Sequence, residues 1–218
     1  PITAAGYRFI AYDRRGWGRS TAVLTTGPGV DGEQSGTDAD DLKALIDYLH
    51  IDKFHLVGTA AGGFVALDFA LSFPERLRSM VLANTTGGVQ DEDFVARSTS
   101  IRPTPFEKLP PEVRELGPAY RAADPAGTAR WAELERQSRP PGAALIPAKT
   151  RHRVTFQALE AIRVSTLLFT GAADMYAPPP YLPLFTARIP GSRAVVVPDA
   201  GHSTYWEKPE EFNRLILD

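Results

Sequence analysis

The stretch His55–Leu56–Val57–Gly58–Thr59–Ala60–Ala61–Gly62–Gly63–Phe64–Val65–Ala66–Leu67 constrains the chain more than any other. A short apolar strand runs into a turn flanked by glycines, and a helix of small residues leaves the turn at once. So sharp a turn is strained, and the helix crosses its own strand too closely for side chains between them. The spacing Gly58-x-Ala60-x-Gly62 has the shape of a nucleophile elbow, which lifts its middle residue above the edge of a parallel sheet. The raised position here is Ala60.

The segments on either side fit such a sheet. Tyr7–Arg8–Phe9–Ile10–Ala11–Tyr12 reads as a buried strand after the turn residue Gly6, and it ends in the loop Asp13–Arg14–Arg15–Gly16–Trp17–Gly18–Arg19–Ser20. Thr25 to Gly36, rich in Gly, Asp, Ser and Pro, reads as a surface loop. Thr37 opens a helix with Asp40 three residues on, a capping box, and Leu42, Leu45, Ile46 and Leu49 share one face of it. The elbow strand is Phe54–Val57. The helix after it, Ala61 to Phe73, is apolar nearly all round and therefore buried, and Pro74 stops it. Leu77–Ala83 is the next strand. Strand and helix in alternation at this spacing predict a parallel sheet covered on both faces.

From Gly87 to about Phe156 prolines break the chain into short pieces, with helices expected near Pro111–Leu116 and Thr128–Arg136. This segment reads as an insertion covering the functional edge of the sheet. The sheet pattern resumes at Val164–Thr170, followed by Gly171–Ala172–Ala173–Asp174. A helix over Tyr176–Ile189, a strand at Ala194–Val197, the loop Asp199–Ala200–Gly201–His202 and a helix from Pro209 complete the chain. The expected division is core over 1–86, helical cap over 87–158, and core again over 159–218.

Composition removes several classes of function. With 218 residues, 43% hydrophobic and 23% charged, the chain is one globular unit. A net charge of −2 supplies no electrostatic footprint for nucleic acid or an anionic membrane. The lack of cysteine removes disulfides, thiol catalysis and thiolate metal sites, and it suits a cytoplasmic location. No apolar run approaches the roughly 20 residues that span a bilayer. The histidines at 50, 55, 152 and 202 form no i, i+4 pair, so no metal is expected. The Asp13–Ser20 loop lacks the order of a phosphate cradle, and Asp13 and Arg15 read as braces for it. No cofactor is expected, and the expected partner is a small-molecule substrate.

Three signals thus follow strand ends in one order: the elbow, Asp174 and His202. Together with Asp13-x-Arg15-Gly16-x-Gly18-x-Ser20 and Gly201-His202…Glu207-x-Pro209…Phe212, they make the whole chain resemble an α/β-hydrolase, whose catalytic order is nucleophile, acid, histidine. The resemblance implies an α/β fold with a doubly wound, mostly parallel sheet and a helical cap. It implies Asp174 as the acid that orients His202 as the base, with Asp199 the competing carboxylate nearby in sequence. It also implies the backbone N–H of Ala61 as an oxyanion donor. The family's first strands have no counterpart in this chain. One of them lies between two strands that are present, so a gap in the sheet is expected.

The family's activity would be hydrolysis of an ester, a lactone or a carbon–carbon bond in a small to medium, largely apolar carbonyl compound. Ala60 departs from it, because a methyl group cannot attack a carbonyl. Three accounts of Ala60 stand open: an engineered serine-to-alanine change, a natural replacement that leaves His202 and Asp174 to act without covalent catalysis, and substitution of the nucleophile by Thr59. Thr59, the adjacent hydroxyl, is aimed elsewhere by the elbow and is placed with the pocket. The alternative functions are a cofactor-free lyase, cyclase or proton-transfer enzyme, and a non-catalytic ligand receptor. Tyr205, Trp206 and Trp131 are candidate pocket walls. The cap aromatics Phe94, Phe106, Tyr120, Trp131 and Phe156 fit a pocket lining and ordinary helix packing equally well, and Arg97, Arg102 and Arg114 could hold a substrate carboxylate.

Overall fold

The computed structural model describes residues 1–20, 36–138 and 147–218. The expected loop from Thr25 lies outside them, apart from Gly36. Four parallel strands, β1 (Phe54–Thr59), β2 (Leu77–Ala83), β3 (Thr166–Gly171) and β4 (Arg193–Val197), form one sheet in the order β1-β2-β3-β4. The helices are α1 (Asp38–Tyr48), α2 (Gly62–Ser72), α3 (Glu92–Ser100), α4 (Pro111–Glu115), α5 (Pro118–Ala123), α6 (Pro125–Ser138), α7 (Phe156–Leu159), α8 (Leu182–Thr186), α9 (Thr204–Glu207) and α10 (Pro209–Leu217). Between β2 and β3 the regular elements of the described residues are all helical, and no strand occurs there among those residues.

Alternation along the strands divides the core into two layers. Met80, Leu82 and Leu168 point to one face, under Leu67 and Phe69 of α2, Leu42 and Ile46 of α1, and Leu182 and Phe185 of α8. Val81, Ala83, Leu167, Phe169 and Val197 point to the other, where Leu215 and Phe212 of α10 cover them. This is the doubly wound arrangement the alternation of elements predicts. The capping box of α1 is formed: the Asp40 N–H donates to Thr37 Oγ1 at 3.2 Å, and Asp40 Oδ2 accepts from the Thr37 N–H at 2.9 Å. Such a cap is worth about 1 kcal/mol.

The first expected strand is not formed. Residues 7–12 pair with no strand among the described residues, and Tyr7 and Phe9 are largely exposed. Tyr7 makes an edge-on ring contact with His55 of β1 at 5.8 Å. A lone extended segment has no ladder to hold it. Pairing with β2 uses one edge of β1, and no described residue pairs with the other. Val57, in register with buried Val81, is correspondingly exposed. The gap expected inside the sheet is not seen: the four described strands pair without interruption, and the unpaired edge of β1 is the border of the sheet. The helix expected over Tyr176–Ile189 is also shorter, a 3₁₀ turn at Pro179–Tyr181 followed by α8. Prolines 178, 179 and 180 each remove a backbone donor and delay its start, while Pro183 sits in the first turn of α8, where its missing N–H is tolerated.

Candidate active site

The carboxyl ends of all four strands converge on one edge, and each contributes a residue to it. After β1 the chain turns at Ala60, whose φ of +48° lies in the left-handed region. That conformation costs an alanine about 1–2 kcal/mol. Its surroundings hold it there: the Ala60 N–H donates to the Ala83 carbonyl at 3.1 Å, and Thr85 Oγ1 donates to the Ala60 carbonyl at 2.6 Å. A Cβ on Gly58 would stand 2.7 Å from the Gly62 carbonyl oxygen, and one on Gly63 would stand 2.4 Å from Thr85 Oγ1. These two glycines let strand, helix and the loop after β2 close on one another. At Gly62 a Cβ would meet open space. The Ala61 N–H lies at the start of α2, among donors that have no partner within the helix. Thr59 is the last residue of β1 and is half-buried.

Asp174 and His202 meet. His202 Nδ1 lies 3.0 and 2.9 Å from the two carboxylate oxygens of Asp174, and both residues are buried. A carboxylate only accepts, so Nδ1 carries the hydrogen and Nε2 is left as the imidazole's acceptor. Asp174 Oδ1 also accepts from the N–H groups of Tyr176 at 2.8 Å and Ala177 at 2.9 Å. Its Oδ2 receives Asn84 Nδ2 at 3.0 Å and has the Thr170 hydroxyl at 2.9 Å. Burial opposes ionisation of Asp174, but His202 and these donors outweigh it and hold the carboxyl down at about 2. Desolvation likewise works against protonated His202, and the Asp174 charge, aided by Glu115, outweighs it and raises the imidazole.

Asn84, which sequence reasoning did not single out, ties three of the strand ends together. It follows β2 with a φ of +49°, which asparagine tolerates better than most residues. Its amide donates to Asp174 and, at 3.1 Å, to the Gly201 carbonyl, while Oδ1 accepts from Thr204 Oγ1 at 2.5 Å. An asparagine immediately after a predicted strand and before Thr85–Thr86–Gly87–Gly88 is the one signal that could have found it. Glu207, quoted above only as part of a motif, is a second such tie. Its carboxylate accepts from the N–H of Gly201 at 2.9 Å and of Gly117 at 2.7 Å, joining the histidine loop to the turn between α4 and α5.

The other candidates are distributed more widely. The ring against His202 belongs to Tyr176, at 4.5 Å between centroids and tilted by 41°, and Phe106 packs edge-on against Tyr176 at 5.0 Å. Tyr205 instead is 47% exposed, with its ring toward Phe212 of α10, so it is no wall above His202. Trp206 is half-buried and Trp131 is buried in α6. Phe94 and Phe156 join Tyr181 and Phe185 in an aromatic cluster of the core. The Asp13–Ser20 loop is braced as expected: Arg15 grips Asp41 through two bonds of 2.6 Å, and Asp13 accepts from the Arg19 N–H at 3.0 Å. Among the described residues no group of three histidine, aspartate or glutamate side chains is placed to hold a metal ion, and no helix is long and apolar enough to cross a membrane.

Comparison with known proteins gives a consistent result. The family described as "Alpha/beta hydrolase family" matches residues 2–215. A 2-hydroxy-6-oxo-6-phenylhexa-2,4-dienoate hydrolase of Burkholderia cepacia is 30% identical, over all of this chain and 78% of its own length. A 2-hydroxy-6-oxononadienedioate/2-hydroxy-6-oxononatrienedioate hydrolase of Klebsiella pneumoniae is 29% identical with the same coverage. Among solved structures, a thermophilic esterase from Thermogutta terrifontis superposes with a TM-score of 0.72 at 27% identity, over 94% of this chain and 76% of that one.

Proposed function

The chain belongs to the alpha/beta hydrolase family, and from that premise we propose that it carries a hydrolase site for a small to medium, largely apolar carbonyl compound, with Ala60 at the nucleophile position. The substrate class is an ester or the carbon–carbon bond of a keto-dienoate, in line with the names of its relatives, or a lactone, as the resemblance in sequence implies. With a serine at position 60, the hydroxyl attacks the carbonyl while His202 Nε2 takes its proton. The Ala61 N–H receives the oxyanion, and Asp174 stabilises the imidazolium. With alanine there, no acyl-enzyme forms, and His202 retains the role of general base toward water.

One observation carries this reading. A buried carboxylate holds His202 Nδ1 with both oxygens, while Ala60 keeps a left-handed backbone that its own side chain does not call for. Backbone strain persists where surrounding structure over-determines it, and it clusters at functional sites. The test is hydrolysis of activated esters, lactones and keto-dienoates by the chain as it stands and by Ala60→Ser. A gain of about four orders of magnitude or more is expected, in line with the cost of deleting a nucleophile from such a site. Silence of both proteins on the whole panel would overturn the reading. A cofactor-free proton-transfer enzyme is the second reading, and one contact favours it: Glu115 Oε2 stands 4.0 Å from His202 Nε2.

A further inference from the structure

Asp174 occupies Nδ1 of His202, so Nε2 is the nitrogen that works. In the elbow of this chain the methyl of Ala60 offers it no proton to exchange. The titratable side chain facing Nε2 comes from the other direction, from Glu115 at the end of α4, with Oε2 at 4.0 Å.

The position of Glu115 is fixed by backbone bonds rather than by the ion pair. Its carbonyl accepts both the His202 N–H at 2.7 Å and the Ser203 N–H at 3.0 Å. Two residues on, Gly117 lies against Gly201 so closely that a Cβ on Gly201 would stand 2.4 Å from the Gly117 nitrogen. The Glu207 carboxylate bridges the N–H groups of both glycines. Residues 115–117 are therefore fastened to the histidine loop, and the Glu115 side chain is delivered to Nε2 by the same fastening. Tyr176, whose ring packs tilted against His202 at 4.5 Å between centroids, forms a further side of the group.

We propose that Glu115 is the charge partner of Nε2, so that Asp174, His202 and Glu115 form one relay in which the Glu115 carboxylate stabilises the proton that Nε2 takes up from water. The inference rests on the reading of Asp174 and His202 as the working pair, and it is independent of whether position 60 ever carried a serine. In hydrolysis without a covalent intermediate, an O–H bond of water breaks and its electron pair forms the bond to the carbonyl carbon. The carbonyl π pair moves onto oxygen at the Ala61 N–H, and the proton goes to Nε2. Glu115 holds the resulting imidazolium, and the proton leaves Nε2 for the departing group when the tetrahedral intermediate collapses. Glu115 acts through His202 and is a positioning residue.

The charges around the relay are few. His202 faces Asp174 from the loop after β3, Glu115 from α4 and Arg102 from the segment after α3. Glu115 faces His202 and Tyr176, with Glu135 of α6 and Asp174 further off. Burial raises the Glu115 carboxyl and the charge of His202 draws it back.

The test is histidine NMR titration of the whole, ligand-free protein, with the His202 resonance assigned through His202→Asn. In Glu115→Gln the His202 midpoint is expected at lower pH than in the parent, while Tyr176→Phe, which keeps the carboxylate, moves it less. In the unmodified protein, the ¹³C-carboxyl signal of Glu115 is expected to inflect at the same pH as His202, which keeps the test open if a variant fails to fold. An unmoved His202 midpoint in folded Glu115→Gln, or no shared inflection, would overturn the relay. Because no substrate is needed, either result stands apart from the outcome of the hydrolysis panel.

Discussion

Truncating Asn84 is the sharpest structural test of how this edge is held together. The side chain is 1% exposed and serves three partners that have little access to water: Asp174, the Gly201 carbonyl and the Thr204 hydroxyl. Asn84→Ala removes one of the donors that keep Asp174 ionised and leaves the other two groups without their partner. Each orphaned buried group costs about 1–3 kcal/mol, and groups of one network do not add in full. The left-handed backbone at this position adds about 1 kcal/mol for alanine, which lacks asparagine's local hydrogen bonding. The expected loss is therefore about 3–4 kcal/mol, a large share of the roughly 5–15 kcal/mol that stabilises a typical domain. Urea denaturation should show the midpoint falling at an unchanged m-value. Asn84→Asp keeps the size but sets a second carboxylate against Asp174, so its destabilisation should grow as pH rises through the carboxylate range. A loss below about 1 kcal/mol in Asn84→Ala would refute the reasoning, since buried groups of this kind do not lose their partners so cheaply.

Further predictions concern the same edge. The carboxyl of Asp174 is held at about 2 in the fold against 3.8 unpaired, so its stabilisation is complete above 3.8 and fades as pH falls toward 2. The imidazole of His202 is raised above 6.5, so its contribution is complete below 6.5 and is lost as pH rises through the folded value. Stability should therefore be greatest between those limits, and Asp174→Asn should flatten both flanks of a melting-temperature profile against pH. Gly63→Ala forces a methyl onto Thr85, whose hydroxyl holds the Ala60 carbonyl, and should cost about 1–3 kcal/mol by thermal unfolding.

What could be read from the chain before any coordinates follows a physical line. Strands, the capping box of α1, the buried helix α2 and the order of Ala60, Asp174 and His202 are written in local patterns: apolar runs, glycine spacing, a threonine three residues before an aspartate. Asp174 meets His202 because both follow neighbouring parallel strands, a consequence of sheet order rather than of any residue near either one. What stayed hidden depends on contacts across long separations. Asn84 looks like a turn residue until Asp174 and Gly201 arrive beside it, and Glu115 looks like a solvated charge on a short helix until its carbonyl captures the histidine loop. The strand expected at residues 7–12 has a suitable sequence, but a strand is a property of a pair, and no described neighbour completes it. Tyr205 and Trp206 sit next to His202 in the chain, yet α9 turns Tyr205 outward, and the ring that reaches the imidazole comes from Tyr176.

Intact-mass spectrometry after mixing with an activated ester tests the central claim directly. If this edge is a hydrolase site with its nucleophile position at residue 60, Ala60→Ser should gain one acyl group that peptide mapping places at position 60. The chain as it stands should gain none, and adding His202→Ala to Ala60→Ser should suppress the adduct. A folded Ala60→Ser protein that is neither acylated nor hydrolyses the ester, or that is acylated elsewhere, would contradict the account.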